Sequence, residues 1–269
     1  MTIICHLSNR GVLSLEGEDR RTFLQGLISN DITLCVQGSP LYAALLSPQG
    51  KFLHDMIIVD NGDRFFIDCE IERAGDLIKR LSAFKLRAKI NIENVSGTYE
   101  VWAAWSGPAP MGFYEDPRLK ALGARGIIKK NSVIEGEHKD FALYDQHRLM
   151  HGIPDGSRDM IVEKSTLLEC NLDHLNAISW TKGCYMGQEL TARMHYRGLL
   201  KKRLFPVTIE GPAPSLGLLV QQNGTDVGEM RSSFGNLGLA LLNIERAMIG
   251  PLICQQSKLG VHKPEWLKA

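Results

Sequence analysis

Apolar and polar positions change their period several times along this chain, and the changes outline its elements. Residues 12–15 alternate weakly and predict a strand. Asp19 then stands where a helix cap is expected, with Phe23, Leu24, Leu27 and Ile28 on one face of the helix that follows. Residues 41–46 form an apolar run, Ser47-Pro48-Gln49-Gly50 a turn, and residues 51–60 a returning strand, so this segment predicts a hairpin. Residues 64–68 predict another strand. Ile71, Ala74, Ile78 and Leu81 recur at helical spacing and place a helix over residues 70–87, after which 90–95 and 98–105 return to strands. Seven glycines and prolines punctuate residues 106–126, which read as a connection, and the polar 131–140 as a surface excursion. A helix over 144–150 is ended by Gly152 and Pro154.

The regime changes near residue 199. Residues 204–209, 216–221, 226–231 and 237–243 read as short strands separated by Gly, Pro and Asn, the pattern of a small antiparallel barrel. The expected architecture is α+β: a body over residues 1–198, of one or two intertwined lobes, and a C-terminal β-barrel over 199–269. Composition adds mainly exclusions. A net charge of +1 gives no whole-chain signal for nucleic acid or an acidic membrane surface. No apolar run approaches the ~20 residues of a membrane span. No glycine-rich phosphate loop occurs, which argues against a nucleotide-binding domain. The six cysteines are scattered without Cys-x-x-Cys spacing, so free thiols are expected, and with no signal-peptide pattern in the first ten residues the expected compartment is the reducing cytoplasm.

The densest chemistry lies in residues 180–198. Gly183 and Gly187 bracket Cys184-Tyr185-Met186, so a tight loop presents the thiol, and residues 188–194, free of breakers, continue into an ordered element. Lys182 precedes the thiol, and Arg193, His195 and Arg197 follow. Nearby positive charge favours the thiolate, which is the nucleophile and the metal ligand. The alternative is a small buried thiol that only packs. The basic run Lys79, Arg80, Lys85, Arg87, Lys89 reads instead as a solvated helix face.

Lys-Gly-Cys-Tyr-x-Gly-Gln-Glu, at 182–189, matches without a gap the signature of the YgfZ-type folate-binding proteins. These are linked to iron–sulfur cluster assembly and are distant relatives of the glycine-cleavage aminomethyltransferase, the T-protein. Phe-Leu-Gln-Gly followed by Ser-Asn-Asp (23–31), Pro-Gln-Gly-Lys-Phe-Leu (48–53), Asp-Pro-Arg-Leu (116–119) and Arg-Leu-Met-His-Gly-Ile-Pro (148–154) also resemble family segments. The resemblance covers most of the chain. It implies an aminomethyltransferase-like body around a folate-sized cavity, with the cysteine loop at its edge and tetrahydrofolate or a derivative as cofactor.

Two adjacent acidic residues occupy the returning hairpin strand in the aminomethyltransferases. Here His54 takes the first place and Asp55 the second, and strand alternation lets only one of them face the pocket. By resemblance Asp55 serves chemistry at a folate nitrogen and Arg148 pairs with the carboxylates of the folate tail; the alternatives are a solvated aspartate on a strand face and a helix-surface arginine paired with Asp145 or Asp155. Lys182, Gln188, Glu189 and Arg193 complete the expected cofactor-binding set.

Two functions follow. In the favoured one the protein binds tetrahydrofolate and supports assembly or repair of iron–sulfur enzymes, including tRNA-modifying ones, with carrier or client proteins as partners. Cys184 is then a nucleophile or a ligand to a cluster shared with a partner, since clusters usually need four ligands. In the other, the protein is a folate-dependent one-carbon transferase with Asp55 as its working acid. The altered acidic pair favours the first. Direct nucleic-acid binding and a membrane partner are not expected.

Overall fold

The computed structural model describes residues 1–268. Strand β1 (Ile3–His6) and strand β2 (Arg10–Glu16) belong to different sheets, so the two halves of the body interlock from the start. After β2 come helix α1 (Arg20–Gln25), the hairpin β3 (Leu41–Leu46) and β4 (Phe52–Asp60), then β5 (Arg64–Glu70), α2 (Ala74–Ala83) and β6 (Asn91–Asn94). These strands form an antiparallel sheet in the order β3-β4-β5-β2-β6. The chain then returns to the sheet of β1 with β7 (Tyr99–Trp105), β8 (Tyr114–Glu115), β9 (Ala124–Lys129) and β10 (Glu137–Lys139), ordered β10-β1-β7-β9-β8. Helices α3 (Phe141–Met150), α4 (Gly156–Asp159) and α5 (Gln188–Tyr196) follow, joined by a run of turns over 160–187.

The remainder is a closed barrel: β11 (Lys202–Glu210), β12 (Leu219–Gln222), β13 (Thr225–Phe234), β14 (Leu237–Asn243), β15 (Leu252–Cys254) and β16 (Ser257–Val261), every pair antiparallel. Among the described residues no helix is long and apolar enough to cross a membrane.

Both faces of the hairpin sheet are covered, which is why β3 reads as a continuous apolar run rather than an alternation. One face packs Leu13, Ile58 and Ile67 against Leu24 and Ile28 around α1 and Leu77 and Leu81 of α2. The other packs Tyr42, Leu46, Phe52 and Ile57 against Met160, Leu167, Leu172 and Leu175 of the turn-rich segment and Leu204, Leu239 and Leu241 of the barrel. The body and barrel thus share one apolar core.

Several expectations need correction. Asp19 precedes α1 but makes no side-chain cap; its carboxylate accepts the Lys89 amide across the loop. The helix expected over 70–87 stops at Ala83, and Leu86 takes a left-handed φ of 41°. The connection at 106–126 contains β8 and the start of β9. Gly126 pairs with Trp102 inside β9, where Phe113 lies over the space a Cβ would fill. The excursion at 131–140 adds the edge strand β10, parallel to β1. The last two barrel strands, β15 of three residues and β16 of five, are too short on either side of the turn at Gln255 to show a period in the sequence.

Candidate functional site

The loop before α5 is built on the turn after α1. The Ser179 and Met186 amides donate to the carbonyls of Ser29 and Gly26 at 3.1 Å each. Between them Lys182, only 8% exposed, extends beneath the loop. Its ammonium donates to the carbonyls of Gln25, Ile28 and Asn30 at 2.7, 2.8 and 2.8 Å and lies 5.1 Å from the Tyr185 ring centre. Burial pulls this lysine down to about 8, against the opposing pull of Asp31. The lysine expected to act as a charge for the thiol or for a cofactor is therefore the anchor of the loop.

The Phe-Leu-Gln-Gly…Ser-Asn-Asp segment is likewise the platform for this loop. Ser29 donates to the Ala177 carbonyl at 2.6 Å, and Asn30 holds the Tyr42 and Asn176 carbonyls at 2.9 and 2.8 Å.

The hairpin tip forms the other wall. Gly187 opens α5 at φ +79°, and a Cβ there would lie 2.5 Å from the Ser47 carbonyl; one on Gly50, itself at φ +78°, would meet Leu190 at 2.6 Å. The glycines of the two motifs lie against each other, so backbone approach explains both. Gly183 differs: it has no left-handed φ, and nothing lies within 4 Å of its Cβ position. The tight-turn requirement expected for both bracketing glycines applies to Gly187 alone.

What the platform presents is Cys184. It is exposed, whereas Cys5, Cys35, Cys69, Cys170 and Cys254 are buried. Burial pushes the thiols of Cys5, Cys35, Cys69 and Cys170 up to about 12. The small-buried-thiol alternative is thereby excluded for Cys184 and holds for the other five.

Beside the loop, Trp180 stacks on His195 with ring centres 3.9 Å apart, and Tyr196 meets both rings edge-on. This aromatic group was not anticipated; no periodicity links positions fifteen residues apart. On α5, Glu189 and Arg193 pair with each other one turn apart on the surface, and Gln188 makes no side-chain hydrogen bond among the described residues.

Asp55 and Arg148 lie elsewhere, in a buried ion network. His54 and Asp55 do point to opposite faces of β4. His54 meets Asp76 at 2.9 Å, and burial with Arg73 nearby pulls it down to about 4, so it is neutral near pH 7. Asp55 accepts from Arg10 at 3.3 Å and from the Tyr42 hydroxyl at 3.2 Å. Arg10 and Arg125 share Asp68 through bonds of 2.6 and 2.5 Å. Arg118 grips Asp116 and, with Arg125, donates to the Tyr144 hydroxyl.

Arg148 is 0% exposed; it donates at 2.6 Å to both Asp145 and Asp159 and at 2.9 Å to the Ile153 carbonyl. Burial raises the carboxyls of Asp116, Asp145 and Asp155, and the adjacent guanidiniums outweigh it, holding all three below the usual range.

Arg148 as a partner for a folate tail is therefore corrected: it is an interior ion-pair residue. Its Nη2 lacks a hydrogen-bond partner but is enclosed with the rest of the side chain. The residues assigned to tetrahydrofolate do not fit it as arranged. Asp55 has both oxygens engaged, Arg148 is sealed, Lys182 is an anchor, and Glu189 and Arg193 pair on the surface.

A model described as the CAF17 C-terminal beta-barrel domain matches residues 201–269. Over nearly the whole chain, the human iron-sulfur cluster assembly factor IBA57, mitochondrial, is 34% identical across 300 residues, covering 97% of this chain and 84% of the human protein. This chain belongs to the IBA57 family of iron–sulfur cluster assembly factors. The factor of the same name from Mus musculus is 34% identical over 94% of this chain and 80% of its own length, and the Coccidioides immitis homolog 30% over 89% and 71%. Among solved structures, glycine cleavage system aminomethyltransferase T from Bartonella henselae superposes with a TM-score of 0.78 over 99% of this chain and 86% of its own, at 14% identity, which shows the fold alone.

The resemblance to YgfZ-type proteins is thus resolved to IBA57 factors, with the aminomethyltransferase-like fold it implied. The cytoplasmic expectation is overturned, because these IBA57 relatives are labelled mitochondrial. Reduced thiols mark a reducing compartment without saying which one.

Proposed function

We propose that this protein supports assembly or repair of iron–sulfur enzymes by lending the Cys184 thiolate to a cluster shared with a carrier or client protein. The observation that carries this reading is the contrast among the six thiols: five are buried and one is held at the surface on an anchored loop. A thiolate is the soft ligand that iron–sulfur clusters take, and binding releases the thiol proton to solvent. One thiol supplies one of about four ligands, so the partner supplies the rest. The cluster is cargo, and an exposed ligand lets it be handed on. The alternative, a one-carbon transferase acting through Asp55, requires a carboxylate free for substrate, and Asp55 is held by Arg10 and Tyr42.

Complementation separates the two readings. In cells lacking the protein, Cys184→Ser should accumulate normally yet fail to restore iron–sulfur enzyme activity or the tRNA modifications that depend on it, while Asp55→Asn restores them in proportion to its folded level. Full complementation by Cys184→Ser would reject the thiolate reading, and selective failure of well-folded Asp55→Asn would favour the transferase.

A further inference from the structure

The loop and α5 run side by side. Trp180, at the start of the loop, stacks on His195 near the C-terminal end of the helix, and Gly187, at the end of the loop, opens the helix. Cys184 falls between these two attachments. The segment that follows this loop differs in charge from the rest of this near-neutral chain. Tyr196 is 70% exposed at the edge of the aromatic stack. Residues 190–209 contain no Asp or Glu. Of the cations there, Arg193 pairs with Glu189 and Arg203 with Asp173, which leaves Arg197, Lys201 and Lys202 exposed and without a carboxylate partner among the described residues. Lys201 and Lys202 also line a cleft of about 520 Å³ with Met194 and Leu199, whose carboxylates Glu169 and Glu229 are engaged by Thr166 and Arg231, and Lys201 borders a second cleft beside Glu245.

We propose that Trp180, Tyr196, Arg197, Lys201 and Lys202 form the docking surface for an acidic face of the cluster-carrying partner protein. This rests on the reading of Cys184 as a shared ligand and adds what holds the partner while the cluster is shared. Trp, Tyr and Arg are the residue types that concentrate binding energy in interfaces: Trp and Tyr bury large area with little conformational freedom to lose, and Arg offers a planar fork of donors. Unpaired cations at the rim steer an acidic partner and raise its on-rate. A single cysteine contributes one bond to a cluster, so the complex needs a protein–protein contact to orient the remaining ligands. An acidic protein is favoured over an RNA because the cations are few and follow the aromatic stack at Trp180 rather than forming a backbone-length stripe.

The test places a benzophenone amino acid at Tyr196 in the full chain, expressed in cells that depend on it, with a second version at Phe234 on the barrel as control. Light should link Tyr196, and not Phe234, to a protein that holds an iron–sulfur cluster, through an Asp/Glu-rich segment. The triple variant Arg197→Glu, Lys201→Glu, Lys202→Glu should lower that adduct at least tenfold and impair iron–sulfur enzyme activity, while its purified form still alkylates at Cys184 before the five buried thiols and melts at the parent temperature. An adduct to RNA, an adduct unchanged by the charge reversal, or no protein adduct at Tyr196 would overturn the proposal. If the triple variant supports full activity while Cys184→Ser does not, the docking surface fails and the thiolate reading stands. If Cys184→Ser supports full activity, the thiolate reading is the one that fails.

Discussion

The buried ion network and the Cys184 loop both hold charged residues drawn from the expected site, and they treat charge in opposite ways. In the interior, Arg10, Arg125 and Arg148 each meet aspartates at 2.5–2.6 Å, and Asp68, Arg148 and Asp159 have no exposed surface. At the loop and the segment after it, one cation is buried as an anchor while the thiol and the cations Arg197, Lys201 and Lys202 stay in solvent. The contrast teaches that a charged residue in a motif signals chemistry only when some of its hydrogen-bonding capacity is left for a ligand. Burial in low dielectric forces the interior groups to satisfy one another.

Removing one member of the network should have the largest effect. Asp68→Ala leaves Arg10 and Arg125 without their shared carboxylate and is expected to cost about 3–5 kcal/mol in urea unfolding; a loss under about 1 kcal/mol would mean the network contributes little. Acid acts on the same region. The carboxyls of Asp116, Asp145 and Asp155 are held low in the folded state, so their contribution is fully present above the unfolded aspartate pKa of about 3.9 and is lost as pH falls below it toward the folded values. Urea midpoints should therefore fall steeply below about pH 4; a flat profile there would contradict these pairings.

The loop should respond more locally. Lys182→Met keeps the buried stem but leaves three carbonyls without their donor, an expected cost of about 1.5–3 kcal/mol. Hydrogen exchange at the Met186 amide should rise more than exchange in β4. Equal changes in both would show that Lys182 stabilises the fold at large rather than the loop.

Cys184→Ser, at an exposed position, should shift stability by no more than about 0.5 kcal/mol. In the native protein iodoacetamide should modify Cys184 first, with the five buried thiols protected until unfolding; peptide mapping that finds another cysteine labelled at a similar rate would break the comparison. Tetrahydrofolate should give the smallest effect, with no rise in melting temperature at millimolar ligand. A clear rise would show that the Arg10–Asp55–Tyr42 contacts open to admit it.

Local pattern and motif were legible where they rest on short-range physics. Residues 41–46 form the strand Leu41–Leu46, as the shortness of the apolar run and the turn that follows it imply. The ordered element after Gly187 is α5, and the antiparallel barrel and the opposed faces of His54 and Asp55 follow from strand periodicity. Residue identity and spacing likewise set Cys184 apart from the other five cysteines, and it is the exposed one.

Beyond local helix pairs such as Arg148–Asp145 and Glu189–Arg193, which partner each charge would find was decided by the tertiary structure. Arg148 meets Asp159 eleven residues away, Arg10 meets Asp68 fifty-eight away, and Lys182 caps carbonyls more than 150 positions earlier. A sequence sets which groups can pair through their chemistry. Which of them do pair depends on which elements the shared apolar core brings within about 3 Å, and hydrogen bonds are too short-ranged to be read from composition or period.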